Sequence, residues 1–85
     1  MSPVERRSSL LAALFVAPGY ILTVRKLRDQ LEAAHGIALT TDQVRGDLLW
    51  LNSLGMVQAG PQDTAMITEA GQDVVIGRST LPGQA

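Results

Sequence analysis

The sequence predicts a mainly α fold with one small β-hairpin, an α+β domain, and three observations predict it. Four segments open on a Ser or Thr cap and close at a glycine, which is the punctuation of helices. Within the longer ones apolar residues recur three and four apart, so each presents a stripe to a core. One Gly60-Pro61-Gln62-Asp63 cluster stands between two short apolar runs, which marks a hairpin.

Taken in order, Ser2-Pro3-Val4-Glu5 opens the first helix: a Ser cap, Pro in the first turn, and Glu reaching back. The helix runs to about Ala17, where Pro18-Gly19 stops it. Val4, Leu11, Leu14 and Phe15 share one face, while Leu10, Ala12, Ala13 and Val16 spread apolar character around the rest. Tyr20-Ile21-Leu22 is a short extended piece that also reads as a one-bridge strand. Thr23 caps a second helix, Val24–His35, closed by Gly36, with Val24, Leu27, Leu31 and Ala34 inward. A turn through Ile37-Ala38-Leu39 leads to the third helix, where Thr40 and Gln43 make a capping box and Gly55 the stop. Val44, Leu48, Leu51 and Leu54 form its stripe. Met56–Ala59 and Ala65–Ile67 are the hairpin strands, and Thr68 caps a last helix, Glu69–Ile76, ended by Gly77. Two helices joined by a tight turn, then a hairpin, make a winged helix-turn-helix. Residues 1–77 form a single domain, and the tail 78–85 is expected to be loosely held.

At 85 residues without cysteine, the chain has no disulfide or thiolate metal site to support a small core. Its one histidine, His35, cannot build a metal site by itself and suits the C-terminal end of a helix dipole. Neither a paired-carboxylate cleft, a nucleophile with its base, nor a phosphate-cradling glycine loop is present, so no enzyme and no cofactor is expected. Hydrophobic residues are 46% of the chain, more than one small core easily hides. Self-association is therefore expected, with Leu10, Ala13, Val16 and Trp50 as the homodimer surface; core packing is the other reading of Trp50.

Arg6-Arg7 before Leu10–Ala17 has the outline of an export signal, but the apolar run is short and no A-x-A site follows; a core helix is the alternative. No run approaches the ~18 apolar residues of a membrane span, and a cytoplasmic protein is expected. The net charge of −1 (pI about 5.6) lacks the basic surplus usual in nucleic-acid modules, though local clustering matters more than the sum. Arg25, Lys26 and Arg28 cluster early in the second helix. They read either as a phosphate-facing patch or as a solvated face in which Arg25 pairs Asp29 and Arg28 pairs Glu32.

Everything else in the chain is arranged to hold Thr40–Gly55. Gripped along its leucine stripe, this helix leaves Asp42, Arg45, Gly46, Leu49 and Ser53 outside. Asp47 falls beside the stripe and needs a partner, either Arg7, Arg28 or a backbone N–H.

Val44-Arg45-Gly46-Asp47-Leu48, followed by Leu51 and Gly55-Met56-Val57, resembles the I-R-R-D-L…L…G-L-V signature of DeoR-type winged-helix regulators. Met66-Ile67-Thr68-Glu69-Ala70-Gly71 is similar to the L-T-x-x-G join after the wing of many such proteins. The Asp42-to-Leu48 core and the Gly77-Arg78…Pro82-Gly83 ending resemble small winged-helix proteins of Mu-like phages and prophages. The resemblance implies double-stranded DNA as partner and transcription regulation as role. It places Thr41, Gln43, Arg45 and Gly46 at the groove and Thr40 on the backbone. Two departures stand out: Gly46 replaces a second Arg, and the turn Gly60–Thr64 holds no Lys or Arg.

The chemistry of these side chains fits groove reading. Arg45 offers a planar fork for guanine O6 and N7, and Gln43 pairs similarly with adenine. Thr40 and Thr41 lie near free helix N–H groups that favour phosphate. Asp42 repels phosphate but can accept from cytosine N4. Gly46 permits close approach, and Leu49 can meet a thymine methyl. Two readings follow: a homodimeric DNA-binding regulator, or a protein-interaction module working through Leu49 and Trp50. No sensor domain or small-molecule effector site is evident.

Overall fold

A computed structural model describes residues 1–83 and shows why the caps matter. Four helices and three strands alternate as α1 (Pro3–Val16), β1 (Ile21–Thr23), α2 (Val24–His35), α3 (Thr41–Ser53), β2 (Val57–Gly60), β3 (Thr64–Ile67) and α4 (Glu69–Val75). Every helix starts on a side-chain cap. Ser2 accepts from Glu5 N–H, Thr23 from Lys26, Thr40 from Gln43 and Thr68 from Gly71, each satisfying an orphan helix donor.

α1 is the hub, packing against α2, α3, α4 and β3. Its Leu10, Leu11 and Leu14 are fully enclosed with Leu27 and Leu31 of α2, Val44, Leu48 and Leu51 of α3, and Val57, Ala65 and Ile67 of the sheet. Leu10 is thus an interior residue of its own chain and has no surface to offer a second copy. The expected homodimer surface loses it for that reason.

Between α1 and β1 the chain turns through one 3₁₀ turn at Pro18–Tyr20, where Gly19 and Tyr20 both have positive φ (69° and 63°). The Tyr20 ring stacks on Phe15 with 6.2 Å between centroids. β1 is the short strand expected after α1, one residue later than Tyr20-Ile21-Leu22. It pairs antiparallel with β3, Ile21 opposite Met66, and completes a sheet of order β1-β3-β2. β2 and β3 form the expected hairpin, with Val57 opposite Ile67 and Gly60 opposite Thr64. The architecture is α+β, a winged helix-turn-helix.

Two features were hidden from sequence reading. The tail from Arg78 is not loose throughout: Leu81 is 1% exposed and joins the core, and Gly83 lies against Val4. The expectation for Gln84 and Ala85 falls outside the described residues. The Thr68-to-Gly71 join also has a steric cause. A Cβ on Gly71 would stand 2.3 Å from the Met56 carbonyl oxygen, so α4 seats directly on backbone. Thr68 N–H donates to the same carbonyl at 3.0 Å, and its hydroxyl donates to Gly55 O at 2.6 Å.

Candidate functional site

α3 is fixed by its two ends and one charge. At its start Thr40 N–H donates to Gln43 Oε1 (2.9 Å) and Gln43 N–H to Thr40 Oγ1 (3.0 Å), the reciprocal capping box. At its finish Gly55 and Met56 N–H groups return to Asn52 and Leu51 carbonyls. Beside the leucine stripe Asp47 is 2% exposed and is the one buried charged residue among those described. It accepts from the guanidinium groups of both Arg6, in a two-pronged contact, and Arg7 at 3.2 Å. The hydrogen bond to Asp47 lifts the Arg6 guanidinium above its ordinary value. Sequence reading had Arg7 among the candidates; Arg28 takes no part, and Arg6 does. Arg7 also lies over the Trp50 ring at 4.0 Å, so the half-buried indole is covered from within the chain.

The free face of α3 carries Asp42, Arg45, Gly46 and Leu49, with Thr41 half-buried at its start. Leu49 is 69% exposed. A Cβ built on Gly46 would meet no atom within 4 Å, so nothing inside the chain requires glycine there. Leu54, assigned to the stripe, is instead the exposed C-cap, because the helix ends at Ser53. Between α3 and the hairpin lies a cleft of about 200 Å³, walled by Leu48, Leu49, Val57, Ala59 and Ala65, with Arg45 and Asp63 also lining it.

All three guanidinium nitrogens of Arg45 are engaged by its own chain. Nε and Nη2 donate to the two carboxylate oxygens of Asp63 at 3.2 and 2.5 Å. Nη1 donates to Asp42 Oδ1 at 3.2 Å and to Thr41 Oγ1 at 3.4 Å. The hydrogen bond from Arg45 pulls the Asp63 carboxyl below its ordinary value, and the same bond raises Arg45. Sequence reading missed Asp63. It sits 18 residues from Arg45, beyond the reach of helical spacing, and the acid in the hairpin turn is the one signal the sequence offers. Gln43 also differs from expectation. Its amide oxygen is committed to the capping box, so adenine pairing through Gln43 costs the cap.

In α2, Arg25 and Lys26 are exposed and have no ion pair among the described residues. The expected Arg25–Asp29 pair is absent. Asp29 is taken by Arg28 at 2.8 Å, and Arg28 also approaches Glu32 at 3.8 Å. Glu32 Oε2 in turn accepts from Leu39 N–H at 2.9 Å, which pins the α2–α3 turn. Arg28 is therefore engaged by acids of its own helix, while Arg25 and Lys26 remain available. His35 lies beside Ser9, with Nε2 and Oγ 3.1 Å apart.

Of the expected dimer residues, Val16 is 79% exposed and Ala13 and Trp50 are half-buried. Ile76 is a further exposed apolar side chain, and Ser8, Ala12, Val74 and Val75 line a shallow groove between α1 and α4. Among the described residues no helix is long and apolar enough to cross a membrane, and no group of acids and histidine could hold a metal ion.

No protein-family model matches the chain, and no curated protein matches it. Among solved structures it is similar to Sco5413, a MarR family transcriptional regulator from Streptomyces coelicolor. The TM-score is 0.74 and the identity 24%, over 84% of this chain and 48% of that one. The match thus takes in about half the length of that protein. At this identity the likeness establishes the winged-helix fold.

Proposed function

We propose that this chain is a sequence-specific DNA-binding protein, a transcriptional regulator that lays α3 in the major groove and acts as a homodimer. The observation that carries the reading is the one-sided grip on α3. The core holds Val44, Leu48 and Leu51, Asp47 is clamped by α1, and Arg45, Gly46 and Leu49 are left outward beside the hairpin. A helix so mounted fits a groove about 12 Å wide. Arg25 and Lys26 supply phosphate contacts, Thr41 lies at the helix start, and dimerisation presents two such sets to one duplex. The winged-helix likeness to a protein described as a MarR family transcriptional regulator supports this role. The Asp42-to-Leu48 core and the Gly77-Arg78…Pro82-Gly83 ending support a regulator of the phage or prophage type.

A second reading has its own support. The apolar cleft, the exposed Leu49 and the neutralised Arg45 also suit a protein partner. Selection of bound duplexes from random sequence at low salt, with sedimentation of the same sample, separates the two. The DNA reading expects enriched duplexes, binding that falls steeply with salt, and weaker retention by Arg45→Ala. Failure to retain any duplex favours the protein-interaction module. A monomer at high concentration removes the homodimer.

A further inference from the structure

The Asp63 side chain does something its backbone position argues against. Gln62 and Asp63 both hold positive φ (56° and 58°), the left-handed region that hairpin turns usually fill with Asn-Gly or Asp-Gly. Asp tolerates that region better than most residues, but glycine suits it best. The Asp63 carbonyl accepts from Val24 N–H at 2.8 Å, a bond any residue could make. What only an acid supplies is the two-oxygen cradle that closes on Arg45 from across the cleft.

We propose that Asp63 is a specificity-determining residue of the reading face. It holds Arg45 until the paired acceptors of a guanine edge replace it, so that α3 reads a G·C pair and discriminates against bare phosphate, an inference that rests on the DNA-binding reading above. Nε and Nη2 of Arg45 already form the bidentate fork that guanine O6 and N7 accept. Exchange of Asp63 for that edge keeps the count of hydrogen bonds. A phosphate could accept the same fork, but it would arrive as an anion between Asp42 and Asp63 and leave both repelling it. Guanine is neutral, and its cytosine partner offers an N4 amine, a donor that a released carboxylate can accept from. Phosphate has no donor to give. The two acids therefore act as the repulsive half of the discrimination.

Anchoring to the backbone then falls to Arg25 and Lys26. They follow directly on Val24, whose N–H is bonded to the Asp63 carbonyl, so the hairpin turn and the free cations lie side by side. Positioning and reading are divided between α2 and α3.

Asp63→Asn tests the assignment, because asparagine keeps the left-handed backbone and the carbonyl bond while removing the charge. Asp63→Gly, which suits the same backbone, serves if the first variant folds poorly. Each is titrated against the duplex enriched by selection and an unrelated duplex over a range of salt concentrations, beside the unmodified chain and the Arg45→Ala/Asp63→Asn double variant. Asp63→Asn should bind the unrelated duplex several-fold tighter, with a log–log salt slope steeper by about one unit, and should lose preference for the enriched duplex. The double variant should lose that gain. Enriched duplexes should carry a G·C pair whose exchange for A·T weakens the unmodified chain. Unchanged binding and slope, an equal rise on both duplexes, a gain that survives in the double variant, or indifference to that base pair would overturn the inference while leaving DNA binding intact. Retention of no duplex by any of these proteins would instead overturn the DNA-binding reading itself, and the inference with it.

Discussion

Asp47 of α3 is held by Arg6 of α1 across 41 residues of sequence, and the carboxylate is almost wholly enclosed while the guanidinium keeps an edge in water. Arg7 adds a second contact to the same acid. Removing the acid deprives two cations of their carboxylate, although both can turn partly to solvent. Asp47→Ala should therefore lower stability by about 2–3 kcal/mol, read from urea unfolding. A loss under about 0.5 kcal/mol would mean that the contact behaves as an exposed pair.

Arg7 and Trp50 provide an optical readout of the same corner. The guanidinium lies 4.0 Å from the ring centroid, and this is the chain's single tryptophan. Arg7→Ala should shift indole emission toward that of a more hydrated ring and cost about 1–2 kcal/mol, combining the ring contact with the lost bond to Asp47. An unchanged spectrum would show that the indole is covered by other side chains.

Gly71 has no room for a side chain. Its Cβ would meet Met56 O at 2.3 Å and Ile67 Cγ1 at 2.7 Å, and the first of these is backbone that cannot rotate away. Gly71→Ala should destabilise by about 3 kcal/mol or prevent folding, measured by thermal unfolding. Similar stability in the variant would show that α4 can slide outward at little cost.

Gly46 predicts the opposite sign. The position is helical, exposed and free of neighbours, so Gly46→Ala should raise stability by about 1 kcal/mol. If the glycine serves close approach by DNA, the same variant should retain duplex less well. Greater stability together with weaker binding is the expected pair of results. Greater stability with unchanged binding would place the contact elsewhere on the helix.

The tie between α3 and the hairpin should respond to acid. Arg45 holds the Asp63 carboxyl below its ordinary 3.8, so the folded chain keeps this group charged to lower pH than the unfolded chain does. The stabilisation is present above the ordinary carboxylate value and is lost as pH falls through the lowered one. In carboxyl-carbon NMR titrations, the Asp63 midpoint should rise toward 3.8 in Arg45→Ala. Equal midpoints in the two proteins would mean that the ion pair is not populated in solution.

Local chemistry made the helices legible. Thr23 and Gly36 bound α2 as the sequence implies, and the Thr40/Gln43 box starts α3 where expected. These signals act over three or four residues, so a single sequence carries them. What stayed hidden depends on distance through the fold. The β1–β3 pairing joins residues more than 40 apart, and Leu81 looks like tail until the core receives it. At the site, the outward set Arg45, Gly46 and Leu49 followed from helical periodicity. The neutralisation of Arg45 did not, because Asp63 reaches it only after the hairpin folds back. Arg28 meets Glu32 as helical spacing implies, but it also takes the adjacent Asp29, and Arg25 is left free.

Because α4 rests on the peptide group of Met56 with no side chain between them, that seam has nothing soft to absorb strain. Val74 and Val75, at the α1–α4 groove, belong to the same helix, whose cap Thr68 is fastened to Gly55 O just past the end of α3. The last helix is thus tied, backbone to backbone, to the segment that follows α3. Were two copies to meet at that groove, the angle between their α3 helices would follow from how their α4 helices are joined.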